Sequence, residues 1–238
     1  MGQKALSEKR PAAGPLGRTE DGVDKLPGRF LTFEGGEGAG KTTQMRLLAR
    51  ALEEAGIALK ATREPGGSKG AEAIRRLLVE GESERWDAVS ETLLFLAARR
   101  DHVRRVIAPS LASGIWVLCD RFSDSTLAYQ GYGKGLSLSF LNALNRFAVG
   151  DLVPDLTFIL DVPVAIGLMR AAGRGAANDR FETLERDFHE RLRRGFRRIA
   201  ARERERCVLI DASAEIEAVH RALLDAVAER LGVPLPRR

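Results

Sequence analysis

The stretch Phe30-Leu31-Thr32-Phe33-Glu34-Gly35-Gly36-Glu37-Gly38-Ala39-Gly40-Lys41-Thr42-Thr43 restricts the possible folds of this chain more than any other. From Gly35 it fits a glycine-rich loop closed by Lys-Thr. In such a loop backbone N–H groups surround a phosphate, the lysine reaches the β and γ oxygens, and the hydroxyl binds Mg²⁺. The loop works only between a strand and a helix. Both are in register, because residues 30–33 are an apolar, β-prone run and Met45, Leu47, Leu48, Ala51 and Leu52 follow at helical spacing. An α/β domain is therefore expected, with Gly35, Gly36, Glu37, Gly38, Ala39, Gly40, Lys41, Thr42 and Thr43 cradling a nucleoside triphosphate.

Further strands and helices alternate along the chain. Residues 57–62 read as a second strand running into Arg63-Glu64-Pro65-Gly66-Gly67, where a proline before two glycines marks an unusual turn. Helical spacing predicts helices over 71–79 and 88–107, joined by a link at 81–87. The run 115–120 is almost wholly apolar and ends in a carboxylate, the pattern of a central parallel strand buried on both faces. Ligands bind at the carboxyl ends of such strands, so Asp120 and Arg121 should face the phosphate cradle. A polar loop over 122–135 leads to a helix over 137–149, a strand over 156–161 and a helix over 164–170. The small-residue segment after it, about 171–181, carries spaced arginines and reads as a mobile lid. A charged helix, a strand over 207–210 and a helix over 214–231 complete a five-stranded parallel sheet flanked by helices, with right-handed crossovers.

The 238 residues suit one domain. Residues 1–28 mix prolines, glycines and charges without apolar periodicity, which predicts a flexible extension ahead of one folded unit over 29–238. The net charge of +5 is interspersed, which fits small phosphorylated ligands better than a nucleic-acid-binding face. Cys119 and Cys207 each sit inside a strand-like run, which favours buried reduced thiols and a cytoplasmic setting. No apolar run is long enough to cross a membrane. His102, His189 and His220 are dispersed and are assigned no role.

Phosphoryl transfer needs positioning and charge neutralisation more than covalent help from the protein. Lys41 supplies the first cation, and Thr42 with the strand-end Asp120 supplies oxygen ligands for Mg²⁺. Arg121 can grip a second phosphate by two parallel hydrogen bonds.

The set Gly36 to Thr43, Arg63-Glu64-Pro65-Gly66-Gly67, Phe95-Leu96-Ala97-Ala98-Arg99, Asp120-Arg121-Phe122 and Ala128-Tyr129-Gln130-Gly131 resembles the thymidylate kinase family, P-loop nucleoside-monophosphate kinases that use ATP and Mg²⁺ to convert dTMP to dTDP. The resemblance runs from Arg29 to the C-terminal helix. It implies that Phe95 stacks on the thymine ring and Arg99 hydrogen-bonds its edge, although a Phe in an apolar helix is ordinarily core. It also implies that Thr126 and Gln130 read the base, that Tyr129 lies against the deoxyribose, that Pro65 is cis, and that Arg63 lies near the acceptor phosphate. Glu37 stands in a loop that lacks the arginine some members carry there, and by resemblance contacts the acceptor sugar. The missing cation is then supplied by Arg170, Arg174 or Arg180 around the lid, Arg174 first and Arg180 second. A homodimer is implied as well. Two other readings stay open: a kinase for another nucleoside or deoxynucleoside monophosphate, and a nucleotide-dependent switch, although no Asn-Lys-x-Asp element follows a strand.

Overall fold

The computed structural model describes residues 28–80, 85–173 and 185–236. The extension over 1–27, part of the 81–87 link, and most of the lid with Arg174 and Arg180 lie outside the described residues.

Five parallel strands form one sheet in the order β2-β3-β1-β4-β5: β1 Phe30–Glu34, β2 Leu59–Arg63, β3 Trp116–Asp120, β4 Leu156–Asp161 and β5 Cys207–Asp211. The register puts Phe33 beside Asp120 and Arg63 beside Asp120 on its other side, so the carboxyl ends of β1, β2 and β3 share one rim. The helices are α1 Lys41–Glu54, α2 Lys69–Val79, α3 Ala88–His102, α4 Ala108–Ala112, α5 Ser123–Thr126, α6 Leu138–Val149, α7 Val164–Ala172, α8 Arg186–Arg202 and α9 Ile216–Leu231.

Strand alternation explains the layering. On β1, Leu31 and Phe33 point to one face with Leu48 and Leu52 of α1 and Leu223 and Val227 of α9, whereas Phe30 points to the other with Leu96 and Val103. All five residues of β1 are buried, as a central parallel strand covered on both faces requires. A third cluster packs Phe188, Leu192 and Phe196 of α8 under Tyr129 and Ile159. The edge strand β2 is half-exposed, which lets Lys60 remain in water.

The helix expected over 88–107 keeps its apolar period only to His102. Residues Val103–Ile107 then widen into a π-helix before α4. The segment over 122–135 is not the expected polar loop, because α5 continues directly into a π-helix over Leu127–Gly133. Ala128, Tyr129, Gln130 and Gly131 are all buried there, so no polar face marks it as a helix in sequence. The expected second strand is displaced by one or two residues, to Leu59–Arg63.

Candidate active site

The phosphate loop lies between β1 and α1. Lys41 is only 8% exposed and donates to its own loop carbonyls, Gly35 O at 3.1 Å and Gly36 O at 2.9 Å. Burial lowers its pKa, as does the Arg121 charge, against the pull of Glu37, Asp120 and Glu34. Gly38 has φ of 65°, and a Cβ there would clash with Gly167 O of α7, so the loop and that helix pack backbone to backbone. Thr42 Oγ1 donates to Asp120 Oδ2 at 2.8 Å. A hydroxyl and a carboxylate beside a phosphate loop are hard oxygen donors that suit Mg²⁺ shared with substrate phosphates. Among the described residues no group of three or more His, Cys, Asp and Glu side chains offers a metal cage of its own.

Arg121 is the one non-glycine among the described residues with positive φ, 71°, and this turns its side chain back across the loop. Its Nη2 donates to Glu37 Oε1 at 2.8 Å, and its Nη1 donates to Gly35 O and Ser125 Oγ, both at 3.2 Å. The guanidinium also lies 4.9 Å from the Tyr129 ring centroid. Burial alone would raise the Glu37 pKa, but the Arg121 and Lys41 charges and the Tyr129 hydroxyl, which donates to Glu37 Oε1, hold it at about 2. Burial works against the Arg121 charge too, and Tyr129, Glu37, Asp120 and Glu34 keep it protonated.

The rim opens into a cleft of about 230 Å³. Glu37, Thr42, Arg63, Pro65, Phe95, Arg99, Asp120, Arg121, Thr126, Tyr129 and Gln130 all line it, so residues spread over 94 positions of sequence meet around one cavity. The peptide before Pro65 is cis. Two of the expected contacts are already engaged within the protein. Arg63 is held by Glu72 Oε1 and Oε2 at 3.0 and 3.1 Å. Arg99 donates through Nε to Glu64 Oε2 at 2.7 Å, through Nη1 to Asn145 at 3.0 Å and through Nη2 to Phe122 O at 2.9 Å.

Several residues around the site were not singled out from sequence. Glu34 ends β1 as Asp120 ends β3, a signal that was available. Its buried carboxylate accepts from Phe122 N at 2.8 Å, Ser125 N at 3.2 Å and Ser125 Oγ at 2.6 Å, while burial and Asp124 raise its pKa to about 7. His102, assigned no chemical role above, joins a buried polar network. It is fully buried, with Nε2 2.8 Å from Thr62 Oγ1 and Nδ1 3.2 Å from Glu64 Oε1. A Cβ on Gly67 would strike that ring, so this glycine makes room for His102. Arg75 also lines the cleft and donates to Pro65 O at 2.7 Å.

A second cleft, about 330 Å³, lies along the other flank of the loop between Gly38, Gly40, Gln44, Arg170, Ala212 and Ile216. Arg170 Nη1 donates to Ala212 O at 2.8 Å there. A phosphate loop at the rim of this sheet, with one cleft on each side, defines a P-loop kinase of the nucleoside-monophosphate type.

The family model described as thymidylate kinase matches residues 33–223. The chain is 57% identical over 206 residues to a thymidylate kinase of Caulobacter vibrioides, covering 87% of this chain and 99% of that one. It is 59% identical over 212 residues to one of Rhodopseudomonas palustris, covering 88% and 92%. A crystal structure of thymidylate kinase from Ehrlichia chaffeensis superposes with a TM-score of 0.68 at 38% identity, covering 84% of this chain and 99% of that one. The chain belongs to the thymidylate kinase family.

Proposed function

We propose that the protein transfers the γ-phosphoryl group of ATP to dTMP, giving ADP and dTDP. A phosphate oxygen of dTMP forms the new P–O bond as the bond between the γ-phosphorus and its bridging oxygen breaks, with no covalent enzyme intermediate. The observation that carries this reading is the continuity of the first cleft. Thr42, Asp120 and Arg121 beside the phosphate loop line the same cleft as Phe95, Arg99, Thr126 and Gln130, as a nucleoside monophosphate with its phosphate toward the donor requires.

In this reading the loop amides and Lys41 bind the β and γ phosphates. The second cleft takes the donor's base. Arg121 leaves its contact with Glu37 partly or wholly to grip the acceptor phosphate, with Arg63 nearby. Phe95 stacks on the base, and Tyr129 and Glu37 flank the sugar. Thr42 and Asp120 would hold Mg²⁺, which neutralises charge on the transferred group when bound. Arg174, with Arg180 second, completes that neutralisation from the lid.

The protein is a homodimer in this reading. Val89 and Leu93 on α3 and Phe140 and Phe147 on α6 are 41%, 51%, 43% and 90% exposed, an apolar surface on two helices that touch each other. Two free, buried cysteines support a reducing, cytoplasmic setting. No helix of the described residues is long and apolar enough to cross a membrane.

The test is ADP release, coupled to a reporter, across dTMP, dUMP, CMP, GMP and AMP. dTMP is expected to give the highest kcat/KM, and equal rates with all five would end the claim.

A further inference from the structure

We propose that Glu91, a carboxylate outside the cleft, positions the side-chain amide of Gln130 so that its carbonyl oxygen faces the acceptor base. A ring N–H donor thereby becomes a requirement for the substrate. The proposal rests on the dTMP-kinase reading and assigns part of its selectivity.

Glu91 is completely buried in the first turn of α3, on the face that carries Phe95 and Arg99 one and two turns later. An ionised carboxylate is costly to bury unless it is paired and hydrogen-bonded. Lys134 supplies the charge, with Nζ 2.8 Å from Oε1 and 2.9 Å from Oε2. Gln130 supplies a hydrogen bond, with Nε2 2.9 Å from Oε1.

A carboxylate paired with an ammonium accepts hydrogen bonds, so the amide end of Gln130 that meets it must be the NH₂. The carbonyl end is thereby turned away. Gln130 lines the acceptor cleft beside Phe95 and Thr126. Its Oε1 takes no hydrogen bond from any described residue and is not among the sealed-off polar atoms. A carbonyl at a base-binding wall accepts from the N3–H of thymine or uracil. Against cytosine it meets the bare lone pair of N3, so two acceptors face each other and both lose their water.

A purely structural alternative is that Glu91 ties α3 to the π-helix through Lys134. The two differ in what Glu91→Gln does. Lys134 claims the one carbonyl oxygen of the new side chain, whose NH₂ then faces Gln130. The Gln130 amide turns over and presents its own NH₂ to the cleft.

The experiment measures kcat/KM for dTMP and dCMP in wild type, Glu91→Gln and Glu91→Asp, with circular dichroism to check folding. The expected result is that the preference for dTMP over dCMP falls by about tenfold or more in Glu91→Gln and is largely kept in Glu91→Asp, which still only accepts. A folded Glu91→Gln enzyme with unchanged preference overturns the proposal, since a loosened structure would slow both substrates alike. Should Glu91→Gln not fold, wild-type binding of dCMP and N3-methyl-dTMP decides. Both are expected to bind at least about tenfold more weakly than dTMP, and equal binding overturns the proposal. Wild-type turnover of dTMP in the same assay tests the underlying reading separately.

Discussion

Thr42 Oγ1 donates to Asp120 Oδ2 at 2.8 Å, joining the first turn of α1 to the end of β3 across 78 positions of sequence. Both oxygens are ordinary Mg²⁺ ligands, and their bond stores the pair in place. Asp120→Asn keeps an acceptor for Thr42 and removes the charge. It is expected to raise the Mg²⁺ concentration needed for half-maximal rate and to lower kcat by about 10²-fold or more, with dTMP binding measured without Mg²⁺ little changed. An unchanged Mg²⁺ titration would place the metal ligand elsewhere.

Among the described residues, Lys41 donates only to Gly35 O and Gly36 O, carbonyls of its own loop. Removing it therefore costs local loop contacts but no long-range tie. Lys41→Ala should lower kcat/KM by about 10³-fold while the circular dichroism spectrum and melting cooperativity stay as in wild type. Activity within a few-fold of wild type would contradict its role at the β and γ phosphates.

Glu34 gives a pH signature of uncommon sign. Its folded pKa is about 7, raised first by burial and then by Asp124, from an unperturbed value of 4.5. Between those two values the folded protein holds a proton that the unfolded chain has released. Stability contributed by this group is thus present below pH 4.5 and falls as pH rises toward 7, on the order of 3 kcal/mol in all. Glu37 behaves oppositely, since its folded pKa of about 2 adds stability above pH 4.5 that is lost as pH falls toward 2. Glu34→Gln keeps an oxygen for Phe122 N and Ser125 N. It should flatten the decline in Tm between pH 5 and pH 7, and a decline as steep as in wild type would assign it to another group.

What was readable from sequence and what was not divide along a physical line. The phosphate loop, the carboxylate ending β3 and the Phe95-Arg99 pair each lie within one local period, so pattern alone places them on a strand end or a helix face. The π-helix over Leu127–Gly133 has no such period, because its wider turn and burial on most sides erase the polar stripe. Glu64, Glu91 and His102 escape for another reason. Their partners lie 35 to 39 positions away, and a single polar residue in a loop or on a helix looks like noise until its counter-group is brought alongside. Even the residues that were anticipated carry unanticipated bonds, as Arg99 does with Glu64.

That bond makes Glu64 the hub of a buried polar network. One carboxylate oxygen meets Arg99 Nε at 2.7 Å and the other meets His102 Nδ1 at 3.2 Å, all three side chains being almost fully buried. Truncating the shared acceptor leaves Arg99 as a buried cation without its counter-charge. Glu64→Ala should therefore destabilise the fold by about 3–5 kcal/mol, more than His102→Ala does, by urea denaturation. Equal and small losses for both would show that the network is not coupled.

Phe147 offers the sharpest test of assembly. It is 90% exposed on α6, whereas Ala148 and Val149 beside it are buried, so the helix presents an aromatic ring outward that its own core does not need. Single apolar residues on a surface are ordinary, but Phe147 shares its helix with the exposed Phe140, and α6 packs on α3, which exposes Leu93. Burying such a surface against a second copy would remove it from water at a gain of roughly 25 cal/mol per Å² of apolar area. A paired Leu93→Glu and Phe147→Glu variant places like charges into that contact while leaving the monomer's core untouched. Analytical ultracentrifugation is expected to give a dimer for wild type and a monomer of unchanged Tm cooperativity for the variant. A wild-type monomer, or a variant that remains dimeric, would move the interface away from α3 and α6.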